Sequence, residues 1–190
     1  MTDSSKYIHF WKPFLDKVGA AVLIVLLGPL LLLIAMVILI DGNPILFKHE
    51  RPGYKGRIFT LFKFTTMKSG KTTKLGQVLR NTSLDELPQL FNILCGEMSF
   101  IGPRPLLIEY LEKYTKEEHR RHEVRPGITG YAQVKGRNLL SLKEKLTHDL
   151  YYVQNISFWL DLRILLRTVQ RIFIFKGADY HTSPPKSKTG

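Results

Sequence analysis

The sequence predicts a mainly helical α+β protein of the α/β class: a monotopic membrane protein with one compact cytosolic domain. Three observations predict it: a long apolar run near the amino terminus, two short strand-like segments after it, and several later helical patterns with capping-box spacing. We expect a re-entrant membrane helix in residues 1–41, the cytosolic domain in residues 42–178 and a disordered tail in residues 179–190. A chain of 190 residues suffices for one core plus an accessory element.

The membrane prediction rests on residues 18–40, which carry no charge. This run of about 23 residues exceeds the roughly 18 that suggest a membrane helix. As one helix it would be about 34 Å long, enough for a single span. However, Gly28 and Pro29 lie near its midpoint, and proline removes a backbone donor and clashes with the carbonyl four residues earlier. We therefore expect a break at this pair.

Positive charge flanks the apolar run on both sides. Lysines precede it and lysines and arginines follow it, namely Lys6, Lys12, Lys17, Lys48, Arg51, Lys55, Arg57 and Lys63. Under the positive-inside rule both flanks prefer the cytoplasm. A helix that enters one leaflet and returns satisfies the charges and the break, so we favour it. A single span stays the alternative, because membrane helices tolerate proline.

The net charge of +12 and the single cysteine limit the class of protein further. A strongly basic chain calls for an anionic partner, which could be nucleic acid, an anionic membrane surface or a phosphorylated substrate. One cysteine excludes an internal disulfide. Because Cys95 lies in an apolar helical stretch, we expect it to be a small core residue.

Local patterns predict the elements of the domain. The apolar segment I-L-F and the alternating I-F-T-L-F-K-F enclose a glycine-rich basic turn, which indicates a β-hairpin. Capping-box spacing joins Thr115 to Glu118 and Ser141 to Glu144. Pro105 suits the first turn of a helix formed by L-L-I-E-Y-L-E-K-Y.

The last helical pattern, from Ser157 to about Phe175, is amphipathic. Apolar and aromatic residues share one side and arginines the other. This pattern is typical of a surface helix that covers the core. It equally suits a helix that lies in the membrane interface, and both interpretations are open.

The stretch S-L-D-E-L-P-Q-L-F-N-I-L places Asp85 and Glu86 side by side. They could simply begin a helix, with Ser83 and Glu86 as a capping box and Asp85 at the positive helix end. Alternatively, the two carboxylates take part directly in catalysis. Adjacent helical residues point about 100° apart, which resembles a metal-plus-nucleophile pair more than a glycosidase pair.

Cation-bearing turns favour the chemical interpretation. Arg104 lies on the proline-bracketed turn S-F-I-G-P-R-P, and Arg125, Lys135 and Arg137 lie on a glycine-punctuated loop. Such turns let backbone N–H groups and guanidinium groups approach phosphate oxygens. Solvated turn residues are the alternative. Together with the acidic pair, these turns favour a diphosphate site.

An ordered set of motifs resembles a known family. In chain order they are R-P-G-x-x-G-R (51–57), K-F-x-T-M (63–67), S-L-D-E-L-P-Q-L-x-N (83–92), G-P-R-P (102–105) and R-P-G-I-T-G-x-A-Q-V-x-G-R-N (125–138). They are similar to those of the bacterial sugar transferases, the small monotopic phosphoglycosyl transferases. The resemblance covers nearly the whole chain and is strongest to the short members that start lipid-linked glycan assembly.

The resemblance implies transfer of a sugar phosphate from a UDP-sugar to undecaprenyl phosphate, with release of UMP. It implies that Asp85 is the nucleophile, that Glu86 is its catalytic partner, and that Mg²⁺ is the cofactor, which we expect Asp85 and the diphosphate to hold. It also implies a re-entrant helix, a catalytic domain in residues 42–178 that faces the cytoplasm from the bacterial inner membrane, and no nucleic-acid partner.

Further site residues are expected around this pair. We choose Arg104 and Arg137 as the phosphate clamp, and the remaining candidate phosphate- or substrate-binding residues are Lys63, Arg125 and Asp161. Asp161 matches a family position near the active site, yet it could equally cap a helix or pair with an arginine.

Asp149 is a secondary candidate. The three histidines His119, His122 and His148 lack a metal-binding spacing and are expected at the surface or as supports of the site.

Two positions depart from the family pattern, and two other functions remain open. Gly28 stands where the family often has serine, and Thr65 replaces a cation, so a phosphate contact made there by relatives is in question. The first rival is a membrane-anchored basic binding module. The second is a glycosyltransferase that moves only the sugar and releases UDP.

Overall fold

The computed structural model describes residues 6–136 and 139–174. The helices are α1 (Lys12–Ile40), α2 (Lys74–Asn81), α3 (Gln89–Leu94), α4 (Tyr131–Lys135), α5 (Leu142–Asn155) and α6 (Phe158–Ile174). The strands are β1 (Leu46–Pro52), β2 (Ile58–Phe64), β3 (Met67–Lys68), β4 (Lys71–Thr72), β5 (Ser99–Ile101) and β6 (Gly127–Thr129). The predicted tail, residues 179–190, and Arg137 lie outside the described residues.

Helix α1 passes through Gly28 and Pro29 as one element, after a π-helical turn at Tyr7–Trp11. The proline therefore does not end the helix, and a bend that returns the chain to the same membrane face stays a prediction. Among the described residues, Tyr7–Ile40 is the one helical stretch long and apolar enough to cross a membrane.

Both ends of α1 contact the same domain. Near its start, Lys12 forms an ion pair of 2.7 Å with Asp161 of α6. Near its end, Ile38 packs with Phe64 and Leu79. The opposite side of the helix exposes large apolar residues, among them Phe14, Val22, Val25, Leu26, Leu32, Leu33 and Ile40. The helix thus packs along the domain and leaves an apolar surface uncovered.

The predicted β-hairpin is confirmed. Strands β1 and β2 are antiparallel, from Leu46 opposite Phe64 to Pro52 opposite Ile58. The turn between them contains left-handed residues at Lys55 (φ 55°) and Gly56 (φ 71°). Glycine adopts this conformation at little cost, which explains the glycine-rich turn.

A parallel pair, β5 with β6, was not predicted. It pairs Ser99 with Gly127 and Ile101 with Thr129. The two segments approach so closely that a Cβ on Gly127 would lie 2.1 Å from the Gly102 backbone nitrogen. Glycines in G-P-R-P and R-P-G therefore allow this contact, which brings the Arg104 turn beside the glycine-punctuated loop.

The capping boxes and two local predictions had different outcomes. The box of Ser141 with Glu144 is confirmed, and Thr115 and Glu118 exchange the same pair of bonds.

The prediction of a helix beginning at Pro105 is wrong, because the backbone stays extended through Leu107 and only a 3₁₀ turn, Ile108–Lys113, follows. The core position of Cys95 is also wrong: the residue ends α3 and is exposed.

The amphipathic helix at the end of the described chain is confirmed as α6. Leu160 and Ile164 pack into the core, whereas Trp159 is 72% exposed and Leu166 is 56% exposed. Other members of the apolar stripe, Phe158, Leu165 and Val169, are exposed too. The stripe therefore faces away from the core, as an interfacial helix requires.

Candidate active site

Asp85 and Glu86 lie on a 3₁₀ turn, Leu84–Glu86, that follows a left-handed residue. This residue is Ser83, with φ 57°, and its side chain caps no helix. Helix α3 begins only at Gln89. The interpretation of Ser83 and Glu86 as a capping box is therefore wrong, and the Glu86 carboxylate is directed to other partners.

Asn92, the last residue of the motif, holds α3 against the free edge of β2. Its Oδ1 accepts a hydrogen bond from the Phe62 backbone N–H at 3.1 Å, and its Nδ2 donates to the Thr60 carbonyl at 2.7 Å. The side chain thus mimics a neighbouring strand. This contact places the acidic turn at a fixed position relative to Lys63 on β2.

Glu86 binds two cations. Its carboxylate accepts a hydrogen bond of 2.6 Å from Lys63 and two from Arg104, of 2.5 and 3.3 Å. Burial raises the pKa of Glu86, but the Arg104 guanidinium and the Lys63 ammonium outweigh burial and lower this pKa to about 2. Glu86 is therefore ionised across the physiological range and fixes both cations.

Asp85 has a different environment although it is the next residue. It is buried, and its Oδ2 lies 3.8 Å from Lys63 Nζ, beyond hydrogen-bond distance. Burial raises the pKa of Asp85, and the charge of Glu86 adds to this effect while Lys63 opposes it. Among the residues that the structure describes, no cation lies within hydrogen-bond distance of the Asp85 carboxylate.

These side chains line a cleft of about 1520 Å³. Its walls include four predicted site residues, Lys63, Asp85, Glu86 and Arg104. They also include polar residues that we did not predict as site residues, among them Lys48, Arg51, Thr66, Lys68, Arg80 and Lys145. The volume exceeds the 300–1,000 Å³ of ordinary ligand pockets.

Thr65, the departure from the family motif, also lines this cleft. Its hydroxyl is buried and has no hydrogen-bond partner among the described residues. Whether a cation at this position is needed for phosphate binding stays a question of the sequence pattern, and the residue present is a polar one at the cleft.

Two predicted binding residues do not reach the cleft. Arg125 donates to the Gly96 carbonyl at 2.8 Å and lies over the Tyr54 ring. Asp161 is buried and accepts hydrogen bonds of 2.7 Å from Lys12, Tyr7 and Tyr152. Asp161 thus pairs with a lysine rather than an arginine, and it joins the start of α1 to α6.

Asp149, the secondary candidate, lines the cleft, whereas His122 does not. Asp149 forms a buried ion pair of 2.8 Å with Arg121, and Arg121 donates to the Arg104 carbonyl at 2.7 Å. His122 is buried and its Nδ1 lies 3.0 Å from the Gly53 carbonyl. Arg121 and His122 are adjacent residues of the 3₁₀ turn Glu118–Glu123. They thus fix the proline-bracketed turn at Arg104 and the backbone at Gly53.

Of the two carboxylates, only that of Asp85 fits a magnesium ion that takes further ligands from its substrate. Residues 6–136 and 139–174 contain no cluster of three or more His, Cys, Asp or Glu side chains able to hold a metal. Two cations already bind Glu86, which leaves the carboxylate of Asp85 for a metal. Mg²⁺ is commonly held by one or two carboxylates together with substrate phosphates and water, so Asp85 suits it.

Comparison with known proteins gives consistent matches. A family model described as bacterial sugar transferase matches residues 7–175. The uncharacterized sugar transferase EpsL of Bacillus subtilis (strain 168) is 48% identical over 160 residues, which cover 78% of this chain and 79% of EpsL.

Two longer relatives carry more specific names. Both are called UDP-glucose:undecaprenyl-phosphate glucose-1-phosphate transferase. The protein from Caulobacter vibrioides is 38% identical over 83% of this chain and 68% of its own length. The protein from Xanthomonas campestris pv. campestris is 37% identical over 90% of this chain but only 40% of its own length. This chain therefore spans less than half of the Xanthomonas relative.

Proposed function

Because the chain belongs to the bacterial sugar transferase family, we propose that it moves a sugar 1-phosphate from a UDP-sugar to undecaprenyl phosphate and releases UMP. The names of the Caulobacter and Xanthomonas relatives support this transfer. The observation that carries the proposal is the pair of adjacent carboxylates in one cleft, of which Glu86 binds two cations and Asp85 is left without a close ion pair.

In the first step, a carboxylate oxygen of Asp85 attacks the phosphorus that bears the sugar. A new O–P bond forms, the bond from this phosphorus to the bridging oxygen breaks, and UMP leaves with the electron pair. A carboxylate is ionised at neutral pH and needs no base. The obstacle is repulsion between two anions, which Lys63 and Arg104 at the cleft wall reduce.

In the second step, a phosphate oxygen of undecaprenyl phosphate attacks the same phosphorus. The acyl phosphate bond breaks and the Asp85 carboxylate is regenerated. With its pKa at about 2, Glu86 is a poor general base, so we assign it the task of orienting Lys63 and Arg104. When bound by Asp85 and the diphosphate, Mg²⁺ would neutralise charge on the leaving UMP.

The packing of α1 supports a proposal for the membrane arrangement. A straight span would carry one end of the helix away from the domain, whereas both ends of α1 contact it. The exposed apolar sides of α1 and α6 provide surfaces for one leaflet. We therefore propose a re-entrant anchor at the bacterial inner membrane, with the domain at the cytoplasmic face, where the lipid acceptor lies.

The test is a panel of UDP-sugars with the full chain in membranes that contain undecaprenyl phosphate. We expect UMP in equal amount to the lipid product. The variant Asp85→Asn should lose about three orders of magnitude in turnover and stay membrane-bound, whereas Glu112→Gln, an exposed acid outside the cleft, should match the wild type. Release of UDP, or normal turnover by Asp85→Asn, would contradict the proposal.

A further inference from the structure

Arg51 is a cleft residue whose guanidinium is incompletely satisfied. It lies on β1 opposite Phe59, and it lines the same cleft as Asp85. Its Nε is buried and has no hydrogen-bond partner among the described residues. A buried donor without a partner is costly, and native structures rarely keep one without a reason.

The neighbouring cations differ from Arg51 in this respect. Lys63 and Arg104 both bind the Glu86 carboxylate, so the protein itself supplies their counter-charge. Burial lowers the pKa of Arg51, and the positive charge of Arg104 lowers it further. Both guanidiniums line the same cleft, so an anion bound between them would reduce their mutual repulsion.

The segments that carry the two arginines are held by adjacent residues. Arg121 donates to the carbonyl of Arg104 itself, and His122 contacts the carbonyl of Gly53, two residues after Arg51. Arg121 and His122 are both buried. A short rigid turn thus fixes the spacing between the Arg51 strand end and the Arg104 turn, as a preorganised anion site requires.

We propose that Arg51 is a further substrate-binding residue, which together with Arg104 binds the phosphate oxygens of a substrate. The inference rests on the proposed function, because that reaction brings two phosphate-bearing molecules to the cleft. The ligand chemistry is a phosphate oxyanion, from the diphosphate of the UDP-sugar or the head group of undecaprenyl phosphate. A guanidinium offers paired donors that match such oxygens.

The experiment separates the two half-reactions in the variant Arg51→Gln. UMP release without acceptor measures the donor step, and steady-state turnover with undecaprenyl phosphate adds the acceptor step. We expect a rise of about 10- to 100-fold in the KM for one of the two substrates, and the affected substrate identifies the phosphate. Arg51→Lys should recover part of the loss, because it keeps the charge and loses the paired donors.

Two controls make the result decisive. Arg57→Gln removes an exposed arginine from the same hairpin turn, outside the cleft, and should leave both KM values unchanged. Should Arg51→Gln fold poorly, the Nε–H NMR signal of Arg51 in Asp85→Asn protein should shift when UDP-sugar or undecaprenyl phosphate is added. An Arg51→Gln variant with both KM values within about twofold of wild type, or an NMR signal unmoved by either substrate, overturns the proposal.

The outcome also separates this inference from the function on which it rests. Wild-type protein that releases no UMP from any UDP-sugar refutes the proposed function. Wild-type protein that releases UMP while Arg51→Gln behaves identically refutes only the assignment of Arg51.

Discussion

Two adjacent carboxylates acquire different properties from their surroundings. Burial acts to raise the pKa of both Asp85 and Glu86. Only Glu86 has two cations within hydrogen-bond distance, and these outweigh burial and lower its pKa to about 2. The charge on Glu86 is therefore stabilised and orders the site, whereas Asp85 keeps a carboxylate available for bond formation. Neighbours, rather than residue type, divide the two tasks.

The environment of Asp85 predicts the acid limb of the pH profile of kcat/KM. Burial raises the pKa of Asp85 and Lys63 opposes this shift, so Lys63→Met should raise that pKa further. Because only the ionised form attacks, the acid limb of kcat/KM for UMP release should move to higher pH in the variant. Lys71→Met, an exposed hairpin lysine, is the control. An acid limb that stays in place or moves to lower pH would refute the role of Lys63.

His122 predicts a loss of stability in mild acid. Burial lowers the pKa of His122 to about 4, and the charge of Arg121 adds to this. Between pH 6.5 and 4 the unfolded chain binds the proton and the folded chain does not, so the unfolding free energy should fall as pH falls. The slope is at most about 1.4 kcal/mol per pH unit.

Denaturant unfolding in detergent at several pH values measures the slope due to His122. His122→Gln should remove it between pH 6.5 and 4, whereas His49→Gln on the hairpin should retain it. Equal slopes in wild type and His122→Gln would show that His122 titrates normally in the fold.

At the scale of single residues, the sequence predicts which residue types form the site better than which individual residue performs each role. The triplet R-P-G occurs twice, at residues 51–53 and 125–127, and nothing local distinguishes the two arginines. In the fold only Arg51 lines the cleft, while Arg125 binds the Gly96 carbonyl. The direction of each side chain depends on tertiary packing, so the sequence alone favours Arg125 and does not indicate that Arg51 lines the cleft.

Among the elements, those with a local pattern are the ones that were predicted. The hairpin and α6 follow from alternation and from helical periodicity within one segment. The pair β5 and β6 has three residues in each strand and joins segments 28 residues apart, through glycines that permit close approach. Such a contact leaves no periodic pattern in either segment, so the sequence carries no signal from which the pairing could be predicted.

The attachment of α3 to β2 gives a prediction for Asn92. In Asn92→Ala, the Phe62 N–H and the Thr60 carbonyl lose their partner, and each unsatisfied group costs about 1–3 kcal/mol. We expect the unfolding free energy to fall by roughly 2–5 kcal/mol. Asn155→Ala, which removes an exposed bond within α5, should cost far less. Equal losses in chemical denaturation would refute the bridging role of Asn92.

For the whole molecule, the packing of α1 predicts where its flanks lie. Cysteine replaces one exposed residue on each side of α1, in Lys6→Cys and Arg57→Cys, in a Cys95→Ser background because Cys95 is itself exposed. In a re-entrant arrangement an impermeant thiol reagent should label both positions in inverted membrane vesicles and neither in intact cells. Labelling from opposite sides would establish a single span.

Formation of a bond between Asp85 and phosphorus is the central claim, and mass spectrometry of the protein and of its proteolytic peptides tests it most directly. The protein is mixed with UDP-sugar in the absence of undecaprenyl phosphate and quenched under conditions that preserve acyl phosphates. We predict an added mass of one phosphosugar on the peptide that contains Asp85, in step with UMP release, and none in Asp85→Asn. Release of UMP without this adduct, or an adduct on another residue, would contradict the account.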